Sequence, residues 1–354
     1  MSDILPEGKL NAALLKDLLD TIPSADPRVT IGARQADDAA AIAFEENRLV
    51  VSTDPITFST DRPGWYAVNV NANDVAAMGA TPKWFLATIM LPTGSANSTM
   101  VRSIFKEILE ACAALDVTLC GGHTEVTSAV TRPVVVGQMM GEVHQENLID
   151  SRRLSPGDRL ILTGGLAIEG TAILATQLEE KLKPLVGEEV VISAKELLRR
   201  PGISVVNAAR VGCGAARLQA VHDLTEGGLA GACHELCRAA GVGMELVQES
   251  ILIHRETRLI AQALGLDPLG MLASGALLIG VSPDSSGLLL SELDRNEVIC
   301  CVIGEVTDKV GEVGILRQAE RRLLEWVTRD EILKAFETDD GAGVLPAHSS
   351  GEES

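Results

Sequence analysis

Aromatic side chains are nearly missing from this sequence: Trp, Tyr and Phe together make up 3% of its 354 residues. Its core must therefore be built from Ala, Val, Ile and Leu. Positive charge is also short, with 30 Lys and Arg against 49 Asp and Glu and a net charge of −19. That balance speaks against nucleic acid or an anionic membrane as a main partner, because phosphate backbones bind basic surfaces. A small phosphate ligand stays open, since backbone N–H groups and carboxylate-bound magnesium can hold one. No CxxC pair occurs among the seven cysteines at 112, 120, 213, 233, 237, 300 and 301. The odd number and the spacing argue against a zinc site or a disulfide framework and for reduced, mostly buried thiols. No apolar run reaches the ~18 residues of a membrane span. The start, "MSDILPEGKLN", lacks the basic then apolar pattern of a secretory signal, so a cytoplasmic protein is expected. A Walker motif is absent too: Gly8-Lys9 lacks the upstream glycine and the following Ser or Thr. "GCGAAR" fails the last position of GxGxxG, which leaves a P-loop or Rossmann reading unsupported.

What is present is a chain long enough for two domains, 46% hydrophobic and 22% charged. Leucine spacing predicts a helix over 10–21, and apolar spacing predicts others over 66–80, stopped by Gly79, and 98–114, capped by Ser98 or Thr99. Strands are expected at 48–54, 83–91, 117–122 and 132–143. A Pro-Gly-Asp turn then opens a second unit with the strand "RLILTG" and an Ala-rich helix. Further helices are expected at 193–199, 203–212, over 218–241 and at 321–336, with strands at 275–281 and 298–306. The division reads as 1–150, 151–336 and a Gly/Ser/acid-rich disordered tail at 337–354. Strands that follow each other directly favour a two-layer α+β build over a doubly wound sheet.

Four short stretches could carry chemistry. In "ADDAAAI", Asp37 and Asp38 are adjacent, so in a strand only one faces a given site; the alternative is a solvated turn. "STDPITF" ends a strand on Ser52, Thr53 and Asp54. Asn73 and Asp74 sit in the apolar helix "NVNANDVAAMGA", where a polar pair needs a partner, a cation or a capping role. "GGHTEV" places Gly121 and Gly122 before His123, Thr124 and Glu125; glycines permit close approach to a ligand or positive φ, or make an ordinary turn. Together Asp38, Asp54, Asp74 and Glu125 are an acidic set of the kind that holds a hard divalent cation under nucleotide phosphates by oxygen ligands alone. The pairs in "LTGGLAIEGTAI" and "HDLTEGGLAGA", the latter with Gly227 and Gly228, stand near helix starts, where anions are favoured. They serve equally well as tight packing turns. Asp223 precedes the second pair.

The ordered series "ADDAAAI", "STD", "NANDVAAMGA", "GGHTEVT", "GDRLILTGG" and "HDLTEGGLAGA", spread over about 5–335, resembles the aminoimidazole ribonucleotide (AIR) synthase superfamily. That PurM-like group includes thiamine-monophosphate kinase, selenophosphate synthetase, formylglycinamide ribonucleotide amidotransferase and the hydrogenase maturation factor HypE. "GLDPLGMLASGALLIGV" resembles the HypE-like branch. The resemblance implies an N-terminal domain whose four-stranded sheet pairs with its copy in a homodimer, and a C-terminal α/β domain packed on it. It implies ATP with Mg2+ on Asp37, Asp38, Asp54, Asp74 and Glu125. Thr53, Asn73, Gly121, Gly122, Thr124, Gly227 and Gly228 would line the nucleotide, with His123, Glu125 and Asp223 as catalytic candidates. On this reading the 117–122 strand ends at its glycines so that the loop can lie against ATP phosphates. The acceptor would be a small molecule or protein-borne group, an amide, carbamoyl or phosphate oxygen activated by phosphoryl transfer. Thiamine-monophosphate kinase and a non-catalytic nucleotide-binding scaffold are the alternatives. His123 stands where thiamine-monophosphate kinase and HypE carry Asp, and the last cysteine is Cys301 rather than the terminal one of HypE.

Overall fold

The computed structural model describes residues 26–31, 39–57, 61–327 and 329–337. The helix expected at 10–21, Asp37, Asp38 and the tail from 338 onward lie outside the described residues.

A six-stranded sheet comes first. It holds β1 (Val29–Ile31), β2 (Ala40–Phe44), β3 (Asn47–Ile56), β4 (Thr81–Pro92), β5 (Thr118–Thr127) and β6 (Val134–His144), in the order β1-β2-β3-β6-β4-β5. Six strands, not the four expected, form because β1 and β2 extend the sheet beyond β3. β4 and β5 run parallel and the other pairs antiparallel. Every second residue of β6 is buried, Val135, Gly137, Met139, Gly141 and Val143, the period of a sheet covered on one face.

The covering helices are α1 (Pro63–Ala77) and α2 (Ser98–Ala114). α2 starts where expected, but Asn97 caps it by accepting from the Met100 N–H; Ser98 already belongs to the helix. α1 begins at Pro63, whose missing N–H costs nothing at that position. It ends before Gly79, at φ +78°. Val68, Ala72 and Val75 pack on the sheet, while Ala76 and Ala77 join a core shared with the second half. A helix covered on both sides has no polar face.

The second sheet holds β7 (Arg159–Thr163), β8 (Leu218–Asp223), β9 (Gly243–Val247), β10 (Leu277–Val281), β11 (Cys300–Thr307), β12 (Val313–Arg317) and β13 (Glu320–Leu323), in the order β13-β12-β9-β11-β7-β10-β8. β7 and β10 are apolar runs because both faces are covered: Leu160 and Leu162 enter one core, Ile161 the other. One face carries α3 (Ile168–Gln177), α4 (Glu179–Val186), α5 (Glu188–Glu196), α7 (Gly228–Ala240) and α8 (Arg255–Leu264). The other carries α6 (Val206–Ala215), α9 (Pro283–Arg295) and the end of α1.

Two expected helices are corrected. The 218–241 stretch opens with β8, and only its second part is helical. Residues 321–336 are not one helix: β13 pairs antiparallel with β12 across Gln318 and Ala319, both at positive φ, and a 3-10 turn follows at Glu331–Phe336. The cysteines are free, with Cys112, Cys233 and Cys237 buried and Cys120 exposed. Among the described residues no helix is long and apolar enough to cross a membrane.

Candidate functional site

The polar residues of α1 each hold a defined partner. Asn69 donates to the Trp65 carbonyl one turn back. Asn71 accepts from the Asp54 N–H at 2.8 Å and donates to the Asp54 carbonyl at 3.3 Å. The Ser52 hydroxyl donates to the Asp74 carboxylate. Ser52 and Asp54, two apart on β3, share the sheet face under α1, the helix that carries Asp74. The approach is close because β6 offers bare Cα atoms: a Cβ on Gly137 would stand 2.3 Å from Asn71 Nδ2, and one on Gly141 2.5 Å from Val75 Cγ1. Thr53, on the other face, donates its hydroxyl to the Gly137 carbonyl at 2.8 Å.

Asn73, read as a nucleotide contact, is bonded to the second half of the chain. It is fully buried. Its amide donates to the Ile203 carbonyl at 2.8 Å and accepts from the Val205 N–H at 2.9 Å. Both the oxygen and the nitrogen of the side-chain amide are engaged on backbone of the second half.

The "GGHTE" segment also differs from expectation. β5 does not stop at its glycines but runs on to Thr127, the outer strand beside β4. Gly122 lies opposite Ala87, and a Cβ there would come 1.9 Å from the Ala87 carbonyl oxygen. The glycine is thus demanded by sheet contact. His123 and Glu125 pair in register with Thr88 and Met90, on the face away from α1 and α2, and Thr124 pairs with the buried Ile89. His123 Nε2 lies 3.5 Å from Glu125 Oε2, and both side chains are at least half exposed. Asp54, Gly137, Ala87 and Gly122 form one row across β3, β6, β4 and β5. Three strand spacings of about 4.8 Å put roughly 14 Å between its ends. Glu125 therefore does not join Asp54 and Asp74, which lie on the opposite face. Among the described residues no group of three or more His, Cys, Asp or Glu gathers as a metal site.

A second polar centre lies in the seven-stranded half. Gly227 and Gly228, at φ +81° and +57°, turn the chain into α7, and a Cβ on Gly228 would meet the Met271 and Leu269 carbonyls at 2.6 and 2.8 Å. The Gly227 N–H, expected to face a phosphate, donates to Asp330 Oδ2 at 2.8 Å. Asp330 Oδ1 accepts from the Leu272 and Ile332 N–H groups at 3.1 and 3.0 Å. A carboxylate of the chain itself thus occupies the helix start, as the helix dipole favours. Burial pushes the Glu169 carboxyl, in the first turn of α3, up from 4.5 to about 7; the Ser274 hydroxyl donates to it and opposes the rise, while Asp330 and Glu226 add repulsion. Asp223 ends β8 opposite Leu277, buried, in a different sheet from His123 and Glu125. Gly164 and Gly165 serve packing: added Cβ atoms would stand 2.1 Å from the Gly275 carbonyl oxygen and 2.6 Å from His254 Nε2.

Sequence reasoning missed Asn71, Glu169, Ser274 and Asp330. Asn71 alone left a signal, as one of three asparagines at alternate positions of an otherwise apolar helix.

Comparison with known proteins follows this architecture. The AIR synthase related protein N-terminal domain matches residues 36–143, and the C-terminal domain of the same family matches 155–317. The carbamoyl dehydratase HypE of Escherichia coli is 27% identical over 288 residues, covering 77% of this chain and 80% of that protein. The structure of a HypE–HypF complex superimposes with a TM-score of 0.73 at 20% identity, over 90% of this chain and 100% of that one. HypE in complex with ATP gives 0.64 at 20% identity, over 91% and 93%.

Proposed function

Because the chain belongs to the family of AIR synthase related proteins, we propose that it is an ATP- and magnesium-dependent enzyme of the HypE-like kind. It activates an amide, carbamoyl or phosphate oxygen of its acceptor by phosphoryl transfer. One observation carries this reading: Ser52, on the same face of β3 as Asp54, bonds Asp74 of α1, and Asn71 of the same helix holds the Asp54 backbone. Carboxylate and hydroxyl oxygens fit magnesium, which uses one or two carboxylates and completes its shell with phosphate oxygens and water. Asp37 or Asp38 would supply a further ligand. The cation would neutralise phosphate charge; Asp54 and Asp74 would orient it, and the rigid α1–β3 contact would hold them without rearrangement.

A homodimer is part of the proposal. The far face of the six-stranded sheet carries Val51, Leu86, Met90, Val134, Val136 and Met140, all half-buried. An apolar sheet face of this kind favours a partner, and a second copy would bring His123 and Glu125 to a joint site. The family's ATP-bound HypE and its complex with HypF support a nucleotide and a protein-borne acceptor. Residues 1–150 would bind nucleotide and dimerise, and 151–336 would complete the acceptor side.

The test is ATP turnover by purified protein, in magnesium and in EDTA, with a carbamoylated cysteine peptide or thiamine monophosphate as acceptor. Magnesium-dependent turnover stimulated by the carbamoyl peptide is expected. Stimulation by thiamine monophosphate instead would replace the acceptor assignment, and no turnover with any acceptor would favour a scaffold.

A further inference from the structure

α1 grips both halves of the molecule by the same device. Asn71 holds the peptide of Asp54 on β3 through its N–H and its carbonyl. Two residues on, and on the other side of the helix, Asn73 holds the Ile203 carbonyl and the Val205 N–H. Asp74, next in the chain, is bonded by Ser52 of β3. The gripped segment is tied in turn to the second polar centre. Ile203 packs in the core of the first half, and the Gly202 carbonyl lies 2.6 Å from where a Cβ of Gly275 would be. Ser274, next in the chain, donates to Glu169.

We propose that Asn73 is a positioning residue that fixes the separation between Asp54 and Asp74 on one side and the Gly227–Glu169–Asp330 centre on the other. The proposal rests on the magnesium-ATP reading for its functional consequence, but not for the clamp itself. Two bonds from one planar amide fix both distance and orientation, which a single bond would not. They are fully buried, so each lost bond leaves a backbone group without compensation from water. Nucleotide held on the first half would still bind when the clamp is cut. What suffers is the placement of its terminal phosphate against the acceptor side, where a displacement of about 1 Å can cost on the order of a hundredfold in rate.

The experiment compares wild type with Asn73→Ala, which removes both bonds, and Asn73→Ser, a neutral residue whose short hydroxyl can serve at most one of the two backbone groups. Three quantities are read: amide exchange of residues 203–207 without nucleotide, magnesium-ATP affinity by calorimetry, and turnover. The expected result for Asn73→Ala is exchange at Val205 at least tenfold faster, affinity within about threefold of wild type, and turnover down at least tenfold. Asn73→Ser should fall between, and it decides the matter if Asn73→Ala does not fold. Unchanged exchange at Val205 overturns the clamp whatever the nucleotide data say. Turnover retained within twofold despite lost protection overturns the positioning role. Affinity and turnover falling in equal proportion would return Asn73 to direct ligand contact and overturn it as well. If wild type binds no magnesium-ATP, the functional reading falls, while the exchange result still judges the clamp.

Discussion

Replacing Glu169 by Gln should stabilise this protein at pH 8 and leave it nearly unchanged at pH 5. Glu169 is 6% exposed, and burial lifts its carboxyl from 4.5 to about 7. Between these values the native state holds a proton that the unfolded chain has released. Stability is therefore complete below about pH 4.5, declines as pH rises, and has lost this contribution above about pH 7. At about 1.36 kcal/mol per pH unit the loss is on the order of 3 kcal/mol. Gln keeps the shape of the protonated acid and an acceptor for the Ser274 hydroxyl, and it removes repulsion from Asp330 and Glu226. Urea unfolding at pH 5, 6, 7 and 8 gives the comparison, with Trp326, packed 5.5 Å from His234 of α7, as the probe of this half. The variant should gain up to about 3 kcal/mol over wild type at pH 8. Parallel stability curves for the two proteins across this range would refute the reasoning, since Glu169 would then not hold the proton.

Gly122→Ala should destabilise by about 2 kcal/mol or more, from the close approach to Ala87 and a φ of +150°; thermal unfolding within 1 °C of wild type would contradict the contact. Asp74→Asn keeps an acceptor for Ser52 but loses the charge that a hard cation needs. Magnesium-ATP affinity should fall at least tenfold with the melting temperature held, and equal affinity would remove Asp74 from the site. Light scattering at micromolar concentration should give twice the 37.4 kDa chain mass; a monomer would argue against the far sheet face as a dimer surface.

Much of the architecture was legible because its signals are local. Alternation in "RPVVVGQMMGEV" marks a half-covered strand, and the run 98–114 carries the spacing of a helix that the structure reproduces residue for residue. The apolar "RLILTG" reads as a strand, and being buried on both sides explains why it does not alternate. The failures share a cause in distant partners. Gly121-Gly122 reads as a strand end, yet Ala87, 35 residues back, requires the bare Cα inside a continuing strand. Nothing near Asn73 in sequence announces its partners, Ile203 and Val205, which lie 130 and 132 positions away. Gly227 reads as a phosphate donor because nothing near it in sequence announces Asp330 as the group that takes its N–H. At 321–336, leucines of a hairpin strand and of a 3-10 turn combine by chance into helical spacing. Of the candidate site, the residue types of the Asp54 and Asp74 pair could be read early, but the face they share could not.

The measurement that bears most directly on the central claim is calorimetric titration of the intact protein with ATP, once in magnesium and once in EDTA. The first half holds two acids on one face and no basic phosphate clamp among the candidate residues, so the nucleotide should bind through the cation. Micromolar binding in magnesium that weakens at least tenfold in EDTA is the result the account predicts. Equal affinity under both conditions, or no heat in either, would contradict it.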